Sequence, residues 1–223
     1  MKYIIYLVLI FWWLTGCGLD NYDEPSSTLS GQITYEGEPV RLRGTGEAVQ
    51  LQLYQDGYEL DAPIPVYVKQ DGSFEAELFD GVYKLVTRDQ NGPWVNSRDT
   101  TLVTLDGETQ ISLEVTPYFT ISDVSLTLEG EARLRGSFTI GRVSPDARVE
   151  YAMLLIAKTT FVDDVVNLER IDISDPAAGS SIQLSLDASG NENVVNSKAL
   201  FARVGVRTVG ADQAIYSEVV QVR

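Results

Sequence analysis

Alternation of apolar and polar residues with a period of two is the feature that most constrains the fold of this chain. After the first 27 residues the pattern recurs throughout, most clearly at residues 29–35, 49–53 and 134–140. Side chains of a β-strand point alternately to opposite faces, so this period predicts strands with one buried face. Turn pairs such as Asp71-Gly72 separate the segments, and glycine adopts positive φ in turns without steric cost. The sequence therefore predicts an all-β protein.

One segment is apolar on both faces. Residues 151–157 (YAMLLIA) are too few for a typical buried helix and lie between strand-like neighbours, which predicts a central strand. The strand series is interrupted at Pro117, so we expect two tandem β-sandwich domains, residues 28–116 and 117–223. The remaining stretches are predicted to be loops with at most a short helical turn, at residues 161–168 and 176–181.

The N-terminal residues resemble a lipoprotein signal peptide. Lys2 precedes an unbroken apolar run at residues 3–14, which is shorter than the roughly 20 residues that span a bilayer and fits the core of a signal peptide. Residues 14–17 (LTGC) resemble the lipobox of bacterial lipoproteins, and they contain the single cysteine of the chain. We therefore expect residues 1–16 to be removed and Cys17 to carry lipid that binds the membrane. An ordinary signal peptide with a chance cysteine is the alternative.

A short acidic tether is predicted at residues 17–27. It contains Asp20, Asp23, Glu24 and Pro25, a composition typical of an unstructured connector. Acidic residues soon after a lipidated cysteine resemble the surface-export signal of Bacteroidetes lipoproteins. The resemblance implies an outer-membrane protein exposed on the cell surface, and a periplasm-facing protein is the alternative.

Charge and composition exclude several classes of function. Without Lys2 the chain has 17 − 1 = 16 basic and 32 acidic residues, a formal charge of 16 − 32 = −16. Such a chain would be repelled by nucleic-acid phosphates and by anionic lipid head groups. It contains no histidine, which removes Ser-His-Asp triads, histidine bases and the usual zinc sites. We expect no enzyme activity, no cofactor and no metal site.

The first predicted domain resembles the carboxypeptidase regulatory-like, or transthyretin-like, β-sandwich. The resemblance lies in four segments, LSGQI, GEPV, DGSF and DGVYKL, at residues 29–33, 37–40, 71–74 and 80–85. These segments mark structural turns and strand starts. The resemblance therefore implies a fold and says little about function.

The whole chain is similar to a domain-of-unknown-function family of two-domain Bacteroidetes lipoproteins. The similarity rests on the lipobox, on residues 20–25 (DNYDEP) and on residues 28–40 (TLSGQITYEGEPV). It implies an Ig-like second domain and an association with polysaccharide-utilisation loci, and hence a non-catalytic accessory role in polysaccharide binding and uptake. The alternative is a protein-protein interaction or spacer module that docks a transporter or a partner lipoprotein.

Aromatic side chains in loops are the candidate glycan-binding residues, because sugars stack on flat aromatic faces. Trp94 follows an Asn-Gly-Pro turn, Tyr54 and Tyr58 flank an Asp-Gly turn, and Phe161 lies in a predicted loop. Tyr118 lies at the predicted domain junction. The alternative for each is packing in the core or at the junction, which is common for aromatic residues.

Overall fold

A computed structural model describes residues 24–57 and 62–223. The predicted signal peptide, Cys17, most of the tether and Tyr58 lie outside the described residues, so these expectations stay predictions. In the described part, strands dominate and the single helix has 4 residues.

The N-terminal sandwich consists of eight strands in two sheets. The strands are β1 (Ser27–Tyr35), β2 (Glu38–Pro39), β3 (Gln50–Tyr54), β4 (Ile64–Tyr67), β5 (Ser73–Leu78), β6 (Gly81–Thr87), β7 (Thr101–Leu105) and β8 (Glu108–Glu114). In one sheet β1 is central, antiparallel to β2 and β5 and parallel to β8. The other sheet has the order β4-β3-β6-β7.

The C-terminal sandwich also consists of two sheets. Its elements are β9 (Phe119–Glu129), β10 (Arg133–Arg142), β11 (Val149–Ala157), β12 (Glu169–Ser174), β13 (Ser181–Asp187), α1 (Glu192–Val195), β14 (Phe201–Thr208), β15 (Ile215–Tyr216) and β16 (Val220–Gln221). One sheet has the order β13-β10-β9, and the other has the order β12-β11-β14-β15 with β16 also on β14. The predicted fold class, all-β with two tandem β-sandwiches, is confirmed.

Burial follows the alternation that the sequence showed. In β3 the side chains of Leu51 and Leu53 are fully buried, and their neighbours along the strand are half-buried. The segment that is apolar on both faces forms β11, which lies between β12 and β14 and buries every side chain from Ala152 to Ala157. The prediction of a central strand there is confirmed, because the sheet covers both of its edges and both of its faces are packed.

Two local predictions differ from the structure. The helical turn lies at residues 192–195, where the Asn191 side chain accepts a hydrogen bond from the Asn193 backbone N–H and caps it, and not in either predicted loop. The apolar and polar residues at 215–222 also alternate and predict one strand, which the structure divides into β15 and β16. Between them the Ser217 hydroxyl accepts a hydrogen bond from the Val204 backbone N–H and so replaces a ladder carbonyl.

The largest hydrophobic cluster is continuous across the two sandwiches. It joins Leu29 and Leu51 of the N-terminal sandwich to Phe138, Val204 and Ile215 of the C-terminal one. Two smaller clusters lie within the C-terminal sandwich. Because the junction is part of the main core, the two sandwiches pack as one body and fix the relative positions of the loops at their boundary.

Candidate functional site

Trp94 is packed in the interior and is not an exposed platform. Its side chain is 2% exposed, and its backbone forms a β-bridge with Pro117. The indole lies so close to Gly92 that a Cβ at that glycine would be 2.1 Å from the ring atom Cε2. The expectation of an open ring at this position is therefore wrong, because the ring packs over the glycine backbone at the junction.

Two of the other predicted aromatic residues are partly covered. Tyr54 is half-buried at the end of β3, and its hydroxyl donates a long hydrogen bond of 3.4 Å to Gln52 Oε1. Tyr118 packs against the main core, and its backbone N–H donates to the Pro93 carbonyl. Neither of them lines the groove that Phe161 borders.

Phe161 is exposed and borders an open groove. Its side chain is 55% exposed, and the groove has a volume of about 810 Å³. Val66, Val68 and Leu78 form an apolar floor. Tyr67 on β4, 37% exposed, is the second aromatic residue of this groove. One aromatic side chain from each sandwich therefore borders the same open surface, which we call the β4–β5 groove.

The β4–β5 groove lies where two strand edges diverge. β4 pairs with β3 on one side, and β5 pairs with β1. A tight turn connects the two strands, with Lys69 N–H donating to the Ser73 carbonyl, and beyond it the strands separate. Val68 N–H donates to the Val49 carbonyl of the β3 side. Backbone N–H and C=O groups of successive residues point to opposite edges of a strand. Because those of Val68 point toward β3, the backbone groups of Tyr67 and Pro65 point away from β3, toward the groove.

Acidic side chains surround the β4–β5 groove. Four carboxylates, Glu47, Asp71, Glu75 and Glu77, line it together with a single ammonium group, Lys69. Lys69 Nζ lies 3.2 Å from Glu75 Oε2. The lining of the groove therefore has a formal charge of 1 − 4 = −3.

Asp71 stays ionised in this turn. Partial burial raises the pKa of its carboxyl group, but hydrogen bonds from the Ser73 hydroxyl and backbone N–H, together with nearby Lys69, outweigh burial and lower the pKa below its usual value. The turn therefore presents a fixed negative charge at neutral pH.

The loop that carries Phe161 is held from beneath by Asp163. This carboxylate is fully buried, and Oδ1 accepts hydrogen bonds from the backbone N–H groups of Val165 (2.9 Å) and Val166 (2.8 Å). Its other oxygen accepts from the Thr45 hydroxyl of the N-terminal sandwich at 2.7 Å. Asp163 thus shapes its own loop and ties it across the junction.

Arg203 is the cation that accompanies this buried carboxylate. Its side chain is fully buried and donates to the carbonyl oxygens of Ser217 (2.8 Å), Leu42 (2.9 Å) and Val162 (3.2 Å). Its guanidinium lies 4.5 Å from the centre of the Tyr216 ring. Burial lowers the pKa of Arg203 to about 10, with Tyr216 and Asp163 opposing that shift, so the group is charged at neutral pH.

Tyr216 completes the support of the loop. Its hydroxyl donates to Asp164 Oδ1 at 2.8 Å. Burial, followed by the charge of Asp164, raises the pKa of the Tyr216 phenol above its ordinary value. The phenol therefore remains a donor, and the residue next to Asp163 is also fixed to the C-terminal sandwich.

Gln70 connects the groove to the junction. Its side-chain Nε2 donates to the Thr160 carbonyl at 2.9 Å, next to Phe161. Its backbone carbonyl accepts from the Leu42 N–H at 3.0 Å. Its buried Oε1 has no hydrogen-bond partner among the described residues. The bond from Nε2 therefore links the turn between β4 and β5 to the loop that carries Phe161.

Sequence reasoning singled out Phe161 but not the residues that border the same groove or support its loop. Tyr67 follows Pro65 in a four-residue strand with little alternation, and Gln70 lies in an ordinary polar turn. No local pattern in the sequence distinguishes Asp163 and Arg203, which are fully buried, from surface charges. The one available signal was the run of apolar residues at 64–68 (IPVYV), which indicated a strand with more apolar residues than one buried face requires.

The described residues show neither a metal cluster nor a spanning helix. Within residues 24–57 and 62–223, no group of three acidic, cysteine or histidine side chains is arranged to hold a metal ion. Over the same ranges, no helix is long and apolar enough to cross a membrane.

Two family models match the chain. The N-terminal domain model of the protein of unknown function DUF3823 matches residues 27–116, and the DUF3823 C-terminal domain model matches residues 119–221. None of the curated proteins is significantly similar to this chain in sequence.

Solved structures resemble the chain over most of its length. A DUF3823 family protein from Parabacteroides merdae is 56% identical, with a TM-score of 0.86, covering 90% of this chain and 100% of that one. A DUF3823 family protein from Bacteroides ovatus is 31% identical, with a TM-score of 0.78, covering 87% and 97%. A Bacteroides uniformis protein named as a candidate carbohydrate binding protein is 17% identical, with a TM-score of 0.75, covering 89% and 99%. At that identity the last likeness concerns the fold alone.

Proposed function

Since this chain belongs to the DUF3823 family, we propose that it is a non-catalytic surface lipoprotein that assists polysaccharide binding and uptake at the outer membrane. The single observation that carries this proposal is the open β4–β5 groove, which Phe161 and Tyr67 border from the two sandwiches. Exposed aromatic rings beside polar groups are the surface that a sugar ring needs for stacking and hydrogen bonding.

A structural neighbour supports the same direction. The Bacteroides uniformis protein that shares this two-sandwich fold is named as a candidate carbohydrate binding protein. Function is located in sites and not in folds, so the neighbour raises the expectation of a carbohydrate ligand, while the groove supplies the residues that can be tested.

The groove favours binding over catalysis. Glycoside hydrolysis needs two carboxyl groups roughly 5–10 Å apart, one of them with a raised pKa that makes it an acid at neutral pH. In the groove, hydrogen bonds from Ser73 and nearby Lys69 lower the pKa of the Asp71 carboxyl group below its usual value. A carboxylate kept ionised in this way accepts hydrogen bonds from sugar hydroxyl groups and does not donate a proton.

Affinity electrophoresis tests the binding step. The protein from Gly18 onward is run through native gels that contain single host or plant polysaccharides, next to gels without polysaccharide. We expect retardation by at least one polysaccharide, with the heat-denatured protein and an unrelated acidic protein as controls. Unchanged mobility in every gel, together with no detectable binding of free oligosaccharides in solution, would overturn the proposal.

Membrane attachment is proposed to depend on Cys17. Wild-type protein should fractionate with the outer membrane, and Cys17→Ala should no longer do so. Added protease should degrade the wild type on intact cells if it faces outward. Protection from that protease until the outer membrane is permeabilised would favour the periplasm-facing alternative.

A protein-docking role is the second candidate function, and one observation favours it. Val165 is 59% exposed and Val166 is 37% exposed, in the same loop as Phe161. Adjacent exposed apolar side chains are typical of protein contacts. Crosslinking in intact cells should then recover an outer-membrane transporter or a partner lipoprotein, and Val165→Asp should abolish recovery while leaving polysaccharide retardation unchanged.

A further inference from the structure

We propose that the β4–β5 groove binds an uncharged polysaccharide and rejects polysaccharides that carry carboxylate or sulfate groups. This inference rests on the proposed function and assigns its site and ligand class. The chemistry follows from three properties of the groove, which are its two aromatic borders, its excess of carboxylates and the proline on its strand edge.

The aromatic borders favour a ligand with flat apolar faces. Tyr67 lies on β4, and Phe161 lies on the loop between β11 and β12. The floor between strand edges is apolar, with Val66 2% and Val68 4% exposed. Pyranose rings present C–H faces to aromatic rings and hydroxyl groups at their edges. A chain of such rings matches an apolar floor with aromatic side chains above it.

The carboxylates determine which polysaccharide fits. Hydroxyl groups of a neutral sugar donate hydrogen bonds, and hydrogen bonds to ionised acceptors are stronger than those between neutral groups. Glu47, Glu75, Glu77 and Asp71 provide such acceptors around the groove. Lys69, the single ammonium group that lines the groove, is paired with Glu75 at 3.2 Å.

The same carboxylates repel an anionic ligand. A uronate or sulfate in the groove would lie within the screening length of about 8 Å at physiological salt from several like charges. No free cation of the groove's described lining could compensate, because Lys69 is already paired. Repulsion of like charges at close range excludes a wrong ligand even where the contacts would otherwise fit.

Pro65 makes strand addition by a peptide unfavourable. A peptide that extends an edge strand depends on the backbone N–H and C=O groups of that edge. Pro65 directs its backbone toward the groove and has no N–H, so β4 lacks a donor in the middle of its open edge. Proline at such positions is a common protection of edge strands. Stacking on side chains does not need that donor, so a glycan is the favoured occupant.

The ligand class is tested with one polysaccharide in two charge states. A neutral polysaccharide that retards the protein is compared with its carboxymethylated derivative in otherwise identical gels. We expect the apparent affinity for the charged form to be at least about tenfold weaker at low salt. The difference should shrink as salt is raised, because screening weakens repulsion between the exposed charges.

Charge-reversal variants give the sharper result. Glu75→Lys with Glu77→Lys should bring retention of the carboxymethylated form to within about threefold of the neutral form. Asp106→Lys with Glu108→Lys is the matched control, since both are exposed acids outside the groove with the same change in net charge. The control variant should keep the wild-type preference. Mobility in gels without polysaccharide corrects each variant for its own charge.

The site is tested with a matched pair of aromatic variants. Phe161→Ala should weaken binding of the neutral polysaccharide by about tenfold, the value of one aromatic stacking contact. Phe79→Ala removes a phenylalanine of similar exposure, 49% against 55%, that does not line the groove. It should bind like the wild type.

The outcomes separate this inference from the proposed function. Retention of anionic polysaccharides in preference to neutral ones would leave the proposed function standing and overturn the inference. If Phe161→Ala bound the neutral polysaccharide as tightly as the wild type, the assignment of the β4–β5 groove as the binding site would be wrong. If no polysaccharide retarded the protein and an extended basic peptide changed its mobility, both the inference and the proposed function would be overturned.

Discussion

Two loops of similar length each carry an aromatic residue, which is buried in one loop and exposed in the other. Residues 88–100 connect β6 to β7 and carry Trp94, which is 2% exposed. Residues 158–168 connect β11 to β12 and carry Phe161, which is 55% exposed. In the first loop the aromatic ring itself packs inward over Gly92. In the second loop a carboxylate, Asp163, occupies the interior.

The difference lies in what anchors each loop. Residues 158–168 are fixed by polar groups, because Asp163 accepts hydrogen bonds from its own loop and from Thr45, and Arg203 binds the Val162 carbonyl. Phe161 is therefore not needed for packing. An aromatic side chain is available to a ligand when other residues hold its loop in place.

Trp94→Ala should have the largest effect on stability. Removing a buried tryptophan leaves a cavity at the junction and costs about 4 kcal/mol of unfolding free energy. Urea denaturation followed by circular dichroism measures this loss. A loss below about 1 kcal/mol would mean that the ring does not anchor its loop, and the contrast between the two loops would disappear.

Arg203→Met should cost about 3 kcal/mol. The substitution keeps an unbranched side chain of similar length but leaves the carbonyl groups of Leu42 and Val162 without their donor and the Asp163 carboxylate without its nearby cation. Thermal unfolding measures the effect. Arg135→Met, at an exposed arginine with 59% side-chain exposure, is the control and should change stability by less than about 0.5 kcal/mol.

Tyr216→Phe should cost about 1.5 kcal/mol, because the Asp164 carboxylate loses a hydrogen bond in a partly buried position. The ring and its contact with Arg203 remain. Hydrogen exchange should show faster exchange in residues 161–168 than in the wild type. Exchange that is unchanged in this loop would mean that Asp163 alone is sufficient to hold it.

Phe161→Ala should have the smallest effect on stability, within about 0.5 kcal/mol of the wild type, because the side chain is mostly exposed. The same denaturation experiment as for Trp94→Ala measures it. A cost comparable to that of Trp94→Ala would show that Phe161 is a packing residue as well, and the groove would lose its main candidate.

Much of the fold follows from the sequence, because it depends on local alternation. The period of two predicted strands such as β3, and the doubly apolar run predicted the central strand β11. Both predictions depend only on how side chains alternate along a strand and on whether the sheet is covered on one face or two. The resemblance to a domain-of-unknown-function family is confirmed by the two family models.

The site could be predicted only in part, because its residues meet through long-range contacts. Arg203 and the Leu42 carbonyl are 161 residues apart in the chain, and no local period links them. Trp94 and Phe161 carry the same sequence signal, a large aromatic residue in a loop. Which of the two is buried depends on whether a glycine or a buried carboxylate supports the loop, and that appears only when the two sandwiches are assembled.

The place where the chain enters its first sheet has a mechanical consequence. β1 begins at Ser27 in the middle of its sheet, paired with β5 over Ser27–Gln32 and with β8 over Thr28–Thr34. A force applied to the chain before Ser27 and directed along β1 loads both ladders in shear, so that many hydrogen bonds resist together. Resistance to such a pull is governed by the rate of forced unfolding and not by the equilibrium stability. If the chain is anchored before Ser27, as proposed, a pull on a bound polymer would be resisted by a strand that is paired along both of its edges.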